Sequence, residues 1–246
     1  WGFLLVIVLM TSCGEYQSLL KSNDYNLVYK KAIEYYNKGD YQRAMNLLDG
    51  VRSVFVGQAK AQNIAYYRAF CSYNMKDYQI ASDLFKQFIQ TYPESSFAEE
   101  CLYMMGFCDY KASPKPRLDQ QVTEKAIREF QLYLSRYPYS MRKDKVNTYM
   151  DEMRDKLSYK AYLSAKNYYL REHYKAAVIS LQNCLKDYPG SKYREEIMYM
   201  LFVSKYQMAV NSVEDKKVER YNNAREEYYY FADEYPNSRY AADVKK

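Results

Sequence analysis

One phrase recurs four times along the chain: Tyr92-Pro93-x-Ser95, Tyr137-Pro138-x-Ser140, Tyr188-Pro189-x-Ser191 and Tyr235-Pro236-x-Ser238. Each copy stands eleven residues after an alanine (Ala81, Ala126, Ala177 or Ala224), and Ala44 opens a fifth copy that lacks the proline. A fixed distance between a small residue and a helix stop means that the same packed helix is built again and again. That self-similarity specifies a solenoid, in which each unit buries its core against its neighbours.

Each unit reads as helix, tight turn, helix. Ahead of Ala44 the chain runs Ala32-x-x-Tyr35-Tyr36-Asn37-Lys38-Gly39-Asp40-Tyr41, which places a Gly-Asp turn before a second helix that starts near Tyr41. Ala32, Ala69 and Ala165 sit where a first helix presses on a second, and Ala44, Ala81 and Ala177 answer them, because close helix crossings require small side chains. Large apolar residues at helical spacing follow, as in Ala81, Leu84, Phe85 and Phe88. Proline then bars an αR residue before it, so every second helix ends at its Tyr-Pro. Copies three and five carry longer turns, expected over 112–122 and 210–220.

Composition excludes several function classes. The sole histidine, His173, falls at the position of the turn aspartate, which leaves imidazole-based catalysis without a second candidate. Paired acids such as Glu99-Glu100, Glu195-Glu196 and Glu226-Glu227 lie on helical flanks, where dipole interactions and solvation account for them. No glycine-rich phosphate loop and no serine elbow occur. The net charge of +6 is spread among acids, as in Arg142-Lys143-Asp144-Lys145, so no basic stripe marks a nucleic-acid surface. Cys71, Cys101 and Cys108 fall in apolar helical stretches and Cys184 in a small-residue packing slot of the fourth repeat's second helix, so all four are expected as buried free thiols, with no metal site and no cofactor. Tyrosine is the outlier at 32 copies, a residue suited to half-buried helical surfaces.

The N-terminal run from Phe3 to Met10 is too short to span a bilayer and fits the middle of a secretory signal. Met10-Thr11-Ser12-Cys13-Gly14 follows, resembling the bacterial lipobox, in which the cysteine is acylated and becomes the first mature residue. Residues 1–12 are thus expected as a signal peptide entered part-way, Cys13 as the lipid attachment point, and residues 13–24 as a lipidated tether. Multiple acyl chains anchor a domain firmly at a membrane surface.

Asn37-Lys38-Gly39-Asp40-Tyr41-x-x-Ala44 resembles the tetratricopeptide repeat signature, and Met75-Lys76-Asp77-Tyr78-x-x-Ala81 and Arg171-Glu172-His173-Tyr174-x-x-Ala177 keep its core. The resemblance runs from about Tyr25 to Ser238 and implies an all-α, right-handed superhelical solenoid of five helix hairpins. Aligned on their small residues, the repeats place Tyr29, Tyr66, Tyr103 and Tyr162 at one site, and Tyr36, Tyr73, Tyr110 and Tyr169 at another seven residues on. Both rows share one face of the first helices. In tetratricopeptide proteins that helix lines the concave groove, so the eight tyrosines form either a peptide-binding surface or packing, and the fifth repeat breaks the pattern with Leu201 and Met208.

A lipobox, a short tether, five such repeats, a lengthened third repeat and a long helix from about Arg142 to Leu170 together resemble the BamD family of lipoproteins of the outer-membrane β-barrel assembly machinery. The resemblance implies a non-enzymatic scaffold, held in the outer membrane through Cys13 and facing the periplasm. Its implied partners are the barrel-forming subunit, other assembly lipoproteins and unfolded outer-membrane protein precursors. Residues 25–140 would serve the substrate and residues 141–246 the machinery. An adaptor lipoprotein of another envelope system, in cell-wall, division or glycan-uptake complexes, is the alternative.

Overall fold

A computed structural model describes residues 14–240. Ten full helices follow a short helical segment over 14–20: α1 (Tyr25–Asn37), α2 (Tyr41–Val51), α3 (Ala59–Asn74), α4 (Tyr78–Thr91), α5 (Ala98–Ala112), α6 (Gln121–Arg136), α7 (Lys143–Leu170), α8 (Tyr174–Asp187), α9 (Arg194–Val210) and α10 (Glu214–Glu234). No strand occurs among the described residues. The helices pair in sequence into five antiparallel hairpins, as the repeated phrase requires.

The punctuation behaves as its chemistry dictates. The residue before each proline, Tyr92, Tyr137, Tyr188 or Tyr235, caps its helix at φ near −130° and ψ near 65°, outside the α region that the proline ring forbids. Inside the first, second and fourth hairpins the first helix closes with one Schellman pattern. Asp40 N–H donates to Tyr35 and Gly39 N–H to Tyr36, and the same pair of bonds joins Asp77 and Lys76 to Ser72 and Tyr73, and His173 and Glu172 to Tyr168 and Tyr169. The pattern needs a left-handed residue, supplied by Gly39 at φ +81° but by Lys76 at +67° and Glu172 at +60° in the other two. Asp40 also caps α2, accepting from the Arg43 amide, whereas His173 stands at the head of α8 without such a bond.

Two compact units are present among the described residues, one made of 14–114 and 120–150, the other of 115–119 and 151–240. In the first, Ala32, Ala69 and Gly106 on first helices face Ala44, Ala81 and Ala126 on second helices, and all six are buried. Its core continues through Leu47, Leu48, Ile64, Phe85, Phe88, Phe130 and Tyr133, each at most 1% exposed. In the third hairpin the crossing leaves no room for a side chain at Gly106, where a Cβ would lie 2.9 Å from the Phe130 ring. In the second unit Ala165, Ala177, Leu181, Ile197, Met200 and Leu201 form the core. Cys184 joins them at the position that Phe88, Tyr133 and Phe231 occupy in other repeats, so it fills a large-residue site rather than the small-residue slot expected of it.

The longer turn expected over 112–122 is present as residues 113–120 between α5 and α6. The one expected over 210–220 is not: α9 and α10 are joined by residues 211–213 alone. The extra residues lengthen α10 instead. Glu214 and Asp215 in its first turn suit the positive end of the helix dipole, so helix outcompetes loop there.

Candidate functional site

The serine of the repeated phrase does more than follow a helix stop. Its hydroxyl accepts the amide two residues on in all four copies, from Phe97, Arg142, Tyr193 and Tyr240. In three copies it also ties the hairpin's end to its first helix: Ser140 donates to Glu99 at 2.7 Å, Ser238 to Glu195 at 2.7 Å, and Ser158 donates to Ser191 at 2.7 Å. The residue fixed two positions later then meets a tyrosine of the first helix. Phe97 lies 4.5 Å from Tyr66, Arg142 stands 5.1 Å over Tyr103, and Tyr193 stacks on Tyr162 at 4.3 Å and 10°.

The first row of tyrosines, Tyr29, Tyr66, Tyr103 and Tyr162, is therefore covered on one side by the end of its own hairpin or the approach to the next. Tyr29 meets Phe55 at 6.1 Å, and Tyr66 donates to Glu100 at 2.8 Å. The second row packs on the heads of the second helices and on neighbours. Tyr36 sits 5.5 Å from Tyr41 and 4.9 Å from Tyr67, Tyr73 sits 5.9 Å from Tyr78, and Tyr110 stacks on Tyr149 at 4.4 Å. Tyr169 is packed against the core of the second unit. Tyr103 and Tyr162 are buried and the other six are partly buried. Burial raises the Tyr36 and Tyr169 hydroxyls to about 12.

A second constellation carried no sequence signal beyond an acid in an apolar stretch. Asp109 of α5 is 2% exposed, accepts from Ser82 of α4 at 3.0 Å and pairs with Lys125 of α6 at 2.8 Å. Glu129, one turn beyond Lys125, shares the same ammonium at 3.7 Å, and its second oxygen is buried with no donor. With Asp83 at 3.9 Å, three carboxylates thus share one lysine. Burial, followed by the hydrogen bond and charge of Asp109, lifts the Glu129 carboxyl well above the usual carboxylate range, to about 8.

In the second unit a cleft of about 720 Å³ lies along α7. Tyr159, Tyr162 and Tyr193 make an aromatic wall, Leu163 and Leu170 an apolar one, and Arg117 comes from the long turn. Lys160 holds that turn in place by donating to the Leu118 carbonyl at 2.8 Å. Lys166 pairs with Glu196 at 2.7 Å and donates to Tyr162 at 2.8 Å, bonds that push its own pKa well above the usual lysine value. Of the eight predicted tyrosines only Tyr162 lines this cleft.

Nothing in either constellation is arranged for metal or nucleophilic chemistry. Among the described residues no group of three His, Cys, Asp or Glu side chains is placed to hold a metal ion, and Cys71, Cys101, Cys108 and Cys184 are buried free thiols. Burial raises Cys71 and Cys101 to about 12 and Cys184 to about 11, which keeps them as unreactive thiols. No helix among the described residues is long and apolar enough to cross a membrane. Cys13 and the signal segment lie outside the described residues.

Five hairpins with small residues at their crossings, Schellman turns within three of them and serine clips after three define a helical-repeat protein of the tetratricopeptide type. The model of the YfiO family, described as outer membrane lipoprotein, matches residues 21–196 and 161–246, and the chain belongs to that BamD-like family. Among solved structures, the TPR2AB-domain:pHSP90 complex of yeast Sti1 is similar over 82% of this chain and 77% of that chain, at 13% identity and a TM-score of 0.43. MamA of AMB-1 is similar over 82% of this chain and 90% of that chain, at 14% identity and a TM-score of 0.34. No curated protein sequence matches.

Proposed function

We propose that this protein is a non-enzymatic scaffold of the outer-membrane β-barrel assembly machinery, anchored through an acylated Cys13 and facing the periplasm. The observation that carries the reading is the family match across nearly all of the repeat array. In this reading the barrel-forming subunit and other assembly lipoproteins dock on the later repeats, and unfolded barrel precursors engage the earlier ones. The accessible edges of Tyr29, Tyr36, Tyr66, Tyr73 and Tyr110 supply contact area there, and that of Tyr169 does so in the second unit, while the buried Tyr103 and Tyr162 hold the surface from beneath. Aromatic residues that are already ordered by packing lose little entropy when a peptide is laid against them, which suits capture of extended segments.

A mild-detergent pull-down from native membranes with a C-terminal tag tests the proposal. The expected result is a large β-barrel protein with periplasmic domains, recovered in near-stoichiometric amount. Recovery of cell-wall enzymes or a glycan transporter in its place would move the function to another envelope system.

A further inference from the structure

Every charged residue that lines the α7 cleft is a cation: Arg117, Lys160 and Lys166. Lys166 pairs with Glu196, a carboxylate that Arg239 also meets at 3.5 Å and that is held below its usual range, against the opposing effect of burial, by that lysine, Tyr162 and Arg239. Lys160 donates to a carbonyl, which leaves its charge uncompensated. Arg117 is exposed and has no ion pair among the described residues. The cleft therefore presents about two unneutralised positive charges beside an apolar and aromatic wall.

We infer that this cleft is a binding site for an extended polypeptide segment that carries carboxylates next to apolar side chains. Arg117 takes a carboxylate through its planar fork. Tyr159, Leu163 and Leu170 receive the adjoining apolar side chain, and Asn167, whose side chain has no hydrogen-bond partner among the described residues, faces the segment's backbone. Two cations are too few for a phosphodiester backbone, which is bound by rows of them. A sugar needs an open aromatic face, and the Tyr193 face is spent on Tyr162 at 4.3 Å. A peptide with alternating acidic and apolar positions satisfies both the charge and the wall.

The site rests on the scaffold reading only in taking a polypeptide as its ligand. The test is fluorescence anisotropy of the purified protein with a labelled eight-residue peptide alternating Asp and Phe, against otherwise identical Lys-Phe and Asp-Ala peptides. The Asp-Phe peptide is expected to bind at least about ten-fold more tightly than either control, with affinity falling as salt rises. Arg117→Glu, on an exposed turn, should leave the helical circular dichroism unchanged, weaken Asp-Phe binding at least about ten-fold and strengthen Lys-Phe binding. Equal binding of the acidic and basic peptides, indifference to Arg117→Glu, or tighter binding of polygalacturonate than of the peptide would overturn it. Loss of peptide binding while a barrel protein still co-purifies defeats this site alone. Peptide binding that follows Arg117 while no barrel protein is recovered supports the site and defeats the assembly reading.

Discussion

Two residues show how a shared repeat pattern is satisfied unequally. Gly106 takes the small-residue slot that Ala32, Ala69 and Ala165 fill elsewhere, because the Phe130 ring lies over it and is held there by Tyr103 at 6.3 Å and Tyr149 at 5.9 Å. Gly106→Ala would gain about 1 kcal/mol of helix propensity but drive a Cβ to 2.9 Å from a ring that cannot retreat. Overpacking at about 1–3 kcal/mol wins, so a net loss of about 1 kcal/mol is expected in chemical denaturation. Lys76 presents the opposite case. It holds φ +67° where the first hairpin uses Gly39, a conformation that costs a side-chain-bearing residue about 1 kcal/mol. Lys76→Gly should raise stability by up to about 1 kcal/mol in the same measurement, and a fall would show that the lysine side chain contributes elsewhere. Gly39 is legible in the sequence as a turn residue, whereas the need for glycine at Gly106 arises only from the Phe130 ring of the next helix packed over it.

At the scale of helices, the charge cluster joining α4, α5 and α6 is the element junction whose energetics depend most on solution conditions. Lys125 serves three carboxylates, of which Asp109 is the most buried, so Lys125→Met would strand Asp109 at 2% exposure without its ion pair. A cost of about 2–3 kcal/mol is expected, the lower range for a buried pair because the lysine is itself partly exposed. The Glu129 carboxyl, raised from 4.5 to about 8, works in the opposite sense to an ordinary surface acid. Its folded-state value lies above the unfolded one, so its stabilising share is complete below pH 4.5 and is lost as pH climbs toward 8. Thermal denaturation across that window should show Glu129→Gln gaining on the natural protein as pH rises, and parallel curves would mean that Glu129 is ionised throughout. Sequence periodicity located these helices to within a few residues but could not register this cluster. Ser82, Asp109 and Lys125 converge only after three helices pack, and each alone resembles a solvated polar position. The same limit explains α10, where dipole-favoured acids turned an expected loop into two more turns of helix.

For the whole molecule, membership of an outer membrane lipoprotein family makes attachment the property on which localisation depends. On the proposal that Cys13 carries the lipid, removing it should release the protein. Cys13→Ala is expected to shift it from washed outer membranes to the periplasmic fraction, measured by immunoblot, with its helical circular dichroism intact. Normal recovery in the membrane fraction would show that another contact holds it there. The sequence by itself determined the number of hairpins, where four of the five second helices end, and the burial of the small residues, because proline geometry and close helix crossing act over a few neighbouring residues. Only the tertiary structure decided how far each tyrosine is covered, that Ser140, Ser191 and Ser238 clip their hairpins shut, and that three cations from a turn and a helix line one cleft. Those outcomes depend on distances between segments tens of residues apart, which no local pattern encodes.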